Sequence, residues 1–326
     1  MTTRIDWAPL ALMAAVALGA LALIGSPSTW VTLTVAGLAM GLLIFIMSSG
    51  LTLVFGLMDV MNFAHGLFIA VGAYVGASMV RLLAPAAAAD SFVSNLGAIL
   101  PAVLAAMAAA ALLGLAFERI IVRPVYGDHL KQILITTGGM IVAEQLILVL
   151  WGPDQLPVER PATMRGAFLL GDTAIEKYRL IAVVIGLAVF AAMQLLLNRT
   201  KIGLLIRAGV ENKEMVEAMG YRIRRLFVAV FAAGSALAGL GGALWGLYQE
   251  SVTVHIGASM MVLIFIVIII GGLGSIGGCF AGAVLVGLVA NYVGYLSPKI
   301  ALGSNILLMV LVLLWRPQGL YPVSKS

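Results

Sequence analysis

Between Trp30 and Leu83 the chain runs for 54 residues, and Asp59 is its only formal charge before Arg81. A helix crossing the hydrocarbon core of a bilayer needs about 20 apolar residues. The run therefore exceeds one span and holds two with a remainder. That remainder, Ser48–Met61, is too apolar for an aqueous loop. It reads as a broken or re-entrant helix buried in protein, the one setting where irregular backbone survives at membrane depth.

The rest of the chain obeys the same constraint. Of 326 residues 62% are hydrophobic and 10% charged, and the mean hydropathy is +1.12. Soluble domains carry about 25% charge, so the expected class is an all-α polytopic membrane protein. The apolar stretches are continuous rather than alternating, which excludes a β-barrel. Candidate spans are 8–24, 30–47, 62–83, 92–117, 131–151, 179–197, 226–248, 259–271, 279–296 and 302–315, about ten transmembrane helices in one permease-like domain over 1–326. Arg4 followed by Ala8–Ile24 has the look of a signal peptide, but no A-x-A site follows, and a retained first span is expected. The lone Cys279 allows no internal disulfide and no cysteine metal site.

Charge sets the orientation. The stretch 198–225 carries 10 of the chain's 33 formal charges, seven of them basic. With both termini inside, thirteen basic residues fall on the inner side and six on the outer, which predicts cytoplasmic termini and a cytoplasmic 198–225 loop. The main external loop is then 152–178. Within the inner loop Glu211, Glu214 and Glu217 precede Gly220 and a run of arginines, the order that suits a helix dipole and a glycine cap. A short helix over Val210–Gly220 is expected, with Val210, Met215, Ala218 and Met219 apolar. Two readings stay open, a helix lying on its own membrane surface and a docking element for a cytoplasmic partner.

A second interruption follows Met260–Ile270, at Gly271, Gly272, Gly274, Ser275, Gly277 and Gly278. Paired interruptions in two halves are the pattern of inverted-repeat transporters. Small residues at intervals of four (Gly234, Ala238, Gly242, Gly246) make a ridge for close helix contact. Intramembrane polar residues are functional candidates by default: Asp59, Asn62, His65, Glu144, Gln145, Gln194, Asn291 and Asn305. Asn62 and His65 are spaced to share a helix face, His65 as a structural hydrogen bonder rather than a proton relay. Glu250 and His255 flank an external turn and read as solvated. No H-E-x-x-H, G-x-S-x-G or phosphate-loop signature is present, so the chain shows no means of using ATP itself.

The segment Gly50-Leu51-Thr52, Gly56, Asn62-Phe63-Ala64-His65-Gly66 and Gly72-Ala73-Tyr74 resembles the permeases of branched-chain amino-acid ABC importers, of the LivH type. Arg207-Ala208 with Glu217-Ala218-Met219-Gly220 is similar to the family's cytoplasmic coupling loop. Gly271-Gly272-Leu273-Gly274-Ser275 is similar to its late glycine-rich break, and Arg316-Pro317-Gln318-Gly319-Leu320 to its C-terminal end. Leu67 departs from the acidic or small residue many relatives carry.

The resemblance implies an ABC-importer permease fold in a bacterial inner membrane. It implies a second homologous permease, two cytoplasmic ATPases that use ATP and Mg, a periplasmic binding protein and surrounding lipid, with no nucleic acid and no cofactor on this chain. Coupling to the ATPase would fall to Arg207, Ala208, Val210, Glu211, Met215, Glu217, Ala218, Met219 and Gly220. Asn62, His65, Tyr74, Glu144, Gly271, Gly272, Gly274 and Ser275 would line the pathway. Rival readings are a permease for urea or short amides and an ion-driven carrier titrating through Asp59, Glu144 and His65.

Overall fold

The computed structural model describes residues 7–322. Its helices are α1 Ala8–Ile24, α2 Pro27–Met58, α3 His65–Leu82, α4 Ala84–Ala88, α5 Phe92–Phe117, α6 His129–Trp151, α7 Lys177–Arg199, α8 Lys201–Glu211, α9 Lys213–Ala218, α10 Ile223–Gln249, α11 Ile256–Gly271, α12 Ile276–Leu296 and α13 Pro298–Trp315. Two-residue strands β1 (Leu156–Pro157) and β4 (Ser251–Val252) pair antiparallel, as do β2 (Ala167–Leu170) and β3 (Thr173–Glu176). Among the described residues seven helices are long and apolar enough to cross a membrane. Three shorter apolar ones, Ala8–Ile24, Ile256–Gly271 and Gly303–Trp315, stand with them. Arg4 and Lys325, counted in the charge asymmetry, lie outside the described residues.

Of the expected break at Ser48–Met61 only Asp59–Met61 lies outside helix. After Pro27 at its first turn, α2 runs unbroken for 32 residues, about 48 Å at 1.5 Å per residue. Its polar residues do not interrupt it because their hydroxyls bond backward along the same helix. Ser48 Oγ donates to Ile44 O at 2.8 Å, Ser49 Oγ to Ile46 O at 2.8 Å and Thr52 Oγ1 to Ser48 O at 2.8 Å. Gly50 serves packing: a methyl there would sit 2.3 Å from the Gly234 carbonyl oxygen of α10. The chain leaves α2 at Asp59 instead, whose backbone is left-handed at φ 54°.

The late break is shorter than expected. Only Gly272–Ser275 lies outside helix, and Gly277 and Gly278 belong to α12. Ser275 caps α12, its Oγ accepting from Gly278 N at 3.1 Å. Gly278 is small because it crosses α11 backbone to backbone; a Cβ there would lie 2.0 Å from Gly271 O.

Two antiparallel halves make the core. The long helix of each half packs on the third long helix of the other, α2 on α12 and α10 on α5, and α2 and α10 pack on each other. The ends can be placed by contact. Gly209 of α8 lies against Leu57, so the end of α2 is on the face of the 198–225 loop. Helix α10 starts at that loop and carries the chain for 27 residues to the opposite face. Segment 59–64 and segment 250–255 therefore lie on opposite faces.

These two segments are equivalents, and the residue-level repeat is local to them. Asp59 and Glu250 are the only non-glycine residues with positive φ among those described, at 54° and 56°. Each caps the long helix of its half, and each precedes a glycine by seven residues, Gly66 and Gly257. Each segment turns on the same bond, His65 N to Asn62 O at 3.3 Å and Ile256 N to Thr253 O at 3.1 Å. The equivalent of the first break is thus 250–255. The glycine-rich turn 272–275 cannot be, because it sits on the same face as 59–64: a Cβ on Gly56 would lie 3.2 Å from Gly274.

Candidate functional site

Segment 59–64 is largely buried chain without a helix, and two of its donors are met from α6. Met61 N donates to Gln132 Oε1 at 3.2 Å, and Phe63 N donates to Thr136 Oγ1 at 3.1 Å. Asn62 Oδ1 accepts from Ala64 N at 3.1 Å. Asn62 therefore precedes α3 and does not share a helix face with His65. An Asx turn at the entry to α3 wins over helical geometry there. His65, the first residue of α3, is buried, with Nε2 2.9 Å from Met47 O of α2. That bond ties the start of α3 to the middle of α2. Asp59 pairs with His129 at 3.6 Å, both side chains more than half exposed.

Polar atoms without a partner mark where this frame is open. Asn62 Nδ2, the Tyr74 hydroxyl and Glu144 Oε1 are buried and hydrogen-bond to nothing among the described residues, as do Arg179 Nε and Asn305 Oδ1. Tyr74 is fully buried on α3, its ring 5.2 Å from that of Trp151 at the end of α6. Glu144 is half-buried on α6. Asn62, Tyr74 and Glu144 thus lie on α3, its lead-in and the α6 that packs on it. Unpaired polar atoms are costly in a dry interior, and a solvated pathway is one place they are tolerated.

Gly271, Gly272, Gly274 and Ser275 lie elsewhere, on the turn between α11 and α12. The structure brings this turn against the C-terminal segment. Leu320 N donates to Ile270 O at 2.8 Å and Tyr321 N to Gly271 O at 3.0 Å. Gly319, at φ 86°, lies so close that a Cβ would be 2.5 Å from Gly272 N. Two sequence motifs distant in the chain thus form one contact.

The 198–225 loop is an elbow of two helices rather than one. Asn212 leaves helical geometry between α8 and α9, and its Oδ1 accepts from Met215 N at 2.8 Å. This N-cap starts the expected Val210–Gly220 helix three residues late, as α9 Lys213–Ala218, and leaves Val210 and Glu211 on α8. Arg207 is exposed and bonds Asn198 Oδ1 at 3.2 Å, and Ala208 O accepts from Asn212 N. The side chains of Val210 and Glu211 lie outside the described residues. On α9, Val216 points into the protein at 0% exposure, while Met215 and Met219 are 48% and 56% exposed. Glu217 and Ala218 are exposed too, and Gly220 closes the helix at φ 86°. The elbow is pinned by Val216, which its apolar neighbours overshadow in the sequence.

Other buried or paired polar residues carry no local signal in the sequence. Glu118 is 1% exposed and accepts the Tyr126 hydroxyl. Burial, then that bond, pushes the Tyr126 pKa up, so the phenol stays a donor. Asn95 accepts from Thr163 N and Oγ1 at 2.8 and 2.7 Å and donates to Ala86 O and Ala89 O. It fastens the 152–178 loop to α5. Glu250, read as solvated, is paired: Arg160 reaches it at 3.1 Å. Among the described residues no group of three or more His, Cys, Asp or Glu is placed to hold a metal ion.

The family of the branched-chain amino acid transport system permease component matches residues 33–315. The chain belongs to that family.

This permease is 28% identical over 300 residues to the high-affinity branched-chain amino acid transport system permease protein BraD of Pseudomonas aeruginosa, covering 88% of this chain and 94% of that one. It is 25% identical over 290 residues to LivH of Escherichia coli, covering 87% and 92%. It is 27% identical over 322 residues to the probable permease LivM of Methanocaldococcus jannaschii, covering 86% and 90%. No solved structure matches it. The permease is a multi-pass membrane protein and a transport subunit, not an enzyme.

Proposed function

We propose that the permease carries branched-chain or other small amino acids inward across a bacterial inner membrane as one subunit of an ATP-driven importer. The observation that carries this reading is near full-length similarity, 94% of BraD, to proteins named for that transport. A second homologous permease completes the membrane unit; relatives of both the LivH and LivM kinds match the chain. Two cytoplasmic ATPases hold and use ATP and Mg, and an extracytoplasmic binding protein delivers the substrate.

The whole chain acts as one permease domain, with both termini and the α8–α9 elbow cytoplasmic and 152–178 external. The elbow's exposed Met215, Ala218 and Met219, flanked by Arg207, Ala208, Val210, Glu211, Glu217 and Gly220, form the seat for an ATPase. ATP closure moves the elbow and shifts the helices between inward- and outward-open arrangements. Asn62, His65, Tyr74 and Glu144, with the Gly271–Ser275 turn, border the pathway.

The test is uptake of radiolabelled leucine into proteoliposomes holding the permease, its partner subunits and binding protein. ATP-dependent uptake competed by isoleucine and valine is expected. Uptake that persists without ATP and follows an imposed ion gradient would overturn the reading in favour of an ion-driven carrier.

A further inference from the structure

The equivalent segments 59–64 and 250–255 are tied down very unequally. On segment 250–255 a backbone ladder pairs Leu156 with Val252 and Pro157 with Ser251. Val158 N extends it by donating to Glu250 O at 3.0 Å. Two residues further on is Arg160, its side chain only 12% exposed. Its guanidinium donates to the carboxylates of Glu250 at 3.1 Å and Glu176 at 3.2 Å. It also donates to Leu247 O at 2.8 Å and Tyr248 O at 2.7 Å, last-turn carbonyls of α10 that have no helical donor. One side chain thus joins the end of α10, its cap and the residue that starts α7. On segment 59–64 the ties are fewer: two single side-chain bonds from α6, the Phe63 ring 4.8 Å from that of Phe265 on α11, and an exposed contact with His129.

In a carrier built of inverted repeats, one repeat rocks or gates against the other when the carrier changes the side to which it opens. Equivalent segments held tightly on one face and loosely on the other are what one such state looks like. Resting on the permease reading, we propose that segment 250–255 with strand β1 is the extracytoplasmic gate, that Arg160 is the positioning residue that latches it, and that it is shut in this structure. Opening requires β1 to part from β4 and Arg160 to release Glu250, while segment 59–64 gains ties on the opposite face. The alternating row Arg179, Glu176, Arg160, Glu250 holds two positive and two negative groups, so the latch closes without leaving a lone charge at the mouth. The latch residues Arg160, Glu176 and Glu250 themselves line a cleft of about 460 Å³ with Arg179, Tyr248 and Gln249, which gives their side chains room to part.

The test is a disulfide across the ladder. Directly opposed residues of antiparallel strands have Cα atoms about 4.5–5.5 Å apart, within the span of a disulfide. Pro157→Cys with Ser251→Cys in the full importer should transport normally when reduced. Oxidation should lower uptake at least tenfold, with recovery on reduction, and neither single variant should respond. The native thiol, Cys279, is buried and does not compete. Full cross-linking with undiminished uptake would overturn the gate.

The second arm needs no transport. In the permease alone, Ser251→Cys should react at least fivefold faster with a membrane-impermeant maleimide when combined with Arg160→Gln, and Arg160→Lys should restore part of the protection. Equal rates with Arg160 and Arg160→Gln would overturn the latch. Absence of any uptake by the parent importer would sink the proposed function and leave this labelling arm to decide the gate.

Discussion

Gly66 and Gly257 touch backbone to backbone where α3 and α11 cross: a methyl on Gly66 would lie 2.7 Å from the Gly257 carbonyl oxygen, and one on Gly257 2.4 Å from that of Gly66. The contact is reciprocal because the two residues are equivalents in the two halves.

Alanine at either position must push the helices apart, at a cost of about 1–3 kcal/mol for an overpacked contact. Gly66→Ala and Gly257→Ala should each lower the thermal midpoint of the detergent-solubilised permease. Gly294→Ala, with nothing within 4 Å of its added carbon, should hold or raise it, since alanine favours helix by about 1 kcal/mol. Melting followed by tryptophan fluorescence separates the two outcomes.

The left-handed cap of α2 makes a second prediction. Asparagine tolerates φ near +54°, so Asp59→Asn should fold with unchanged stability. Asp59→Val places a β-branched residue there and should cost about 1–3 kcal/mol. Equal melting of the two variants would show that the segment relaxes out of this conformation.

The bond from His65 to Met47 O is one an amide can make. His65→Gln should keep uptake within about threefold of the parent, whereas His65→Leu, with no polar atom, should lose most of it. Loss with His65→Gln that external pH restores would argue for proton transfer at this position.

Gln132 is the acceptor for Met61 N. Gln132→Leu leaves that amide and the Val125 carbonyl, which accepts from Gln132 Nε2 at 3.2 Å, without partners, at about 1–3 kcal/mol, and Gln132→Asn, which keeps both polar functions on a shorter side chain, should cost less. Chymotrypsin cleavage after Phe63 reads the same order, with Gln132→Leu cut fastest.

At the elbow, Ala218→Trp holds α9 away from its proposed seat, and Gly220→Val forces a β-branched residue into φ 86°. Both should insert and fold yet lose the binding-protein-stimulated part of ATP hydrolysis and at least 90% of uptake. Wild-type rates from either variant would remove the elbow from coupling.

The spans were legible because hydropathy is local: every expected span finds its apolar helix. The exact place of the break was not. Ser48, Ser49 and Thr52 look like interruptions in a sequence, but their hydroxyls bond the carbonyl three or four residues back and leave the helix intact. The partner that makes Glu250 more than a surface acid lies far off at Arg160, and a pair so distant leaves no periodic trace. Likewise Gln132 and Thr136 pass for ordinary polar residues on α6 until the chain is folded back on them. On α9 the exposed methionines drew attention, while Val216, which holds the helix in place, looks like any other valine.

The glycine contacts in the core have a mechanical consequence. Where α2 meets α10 at Gly50 and Gly234, and α12 at Gly41 and Gly287, main chains lie against one another with no side chain between them. Helices that interlock by side chains must lift each knob out of its hole before they turn. Smooth backbone contacts carry no such teeth, so they serve as bearings about which one half can roll a few degrees on the other while the core stays dry.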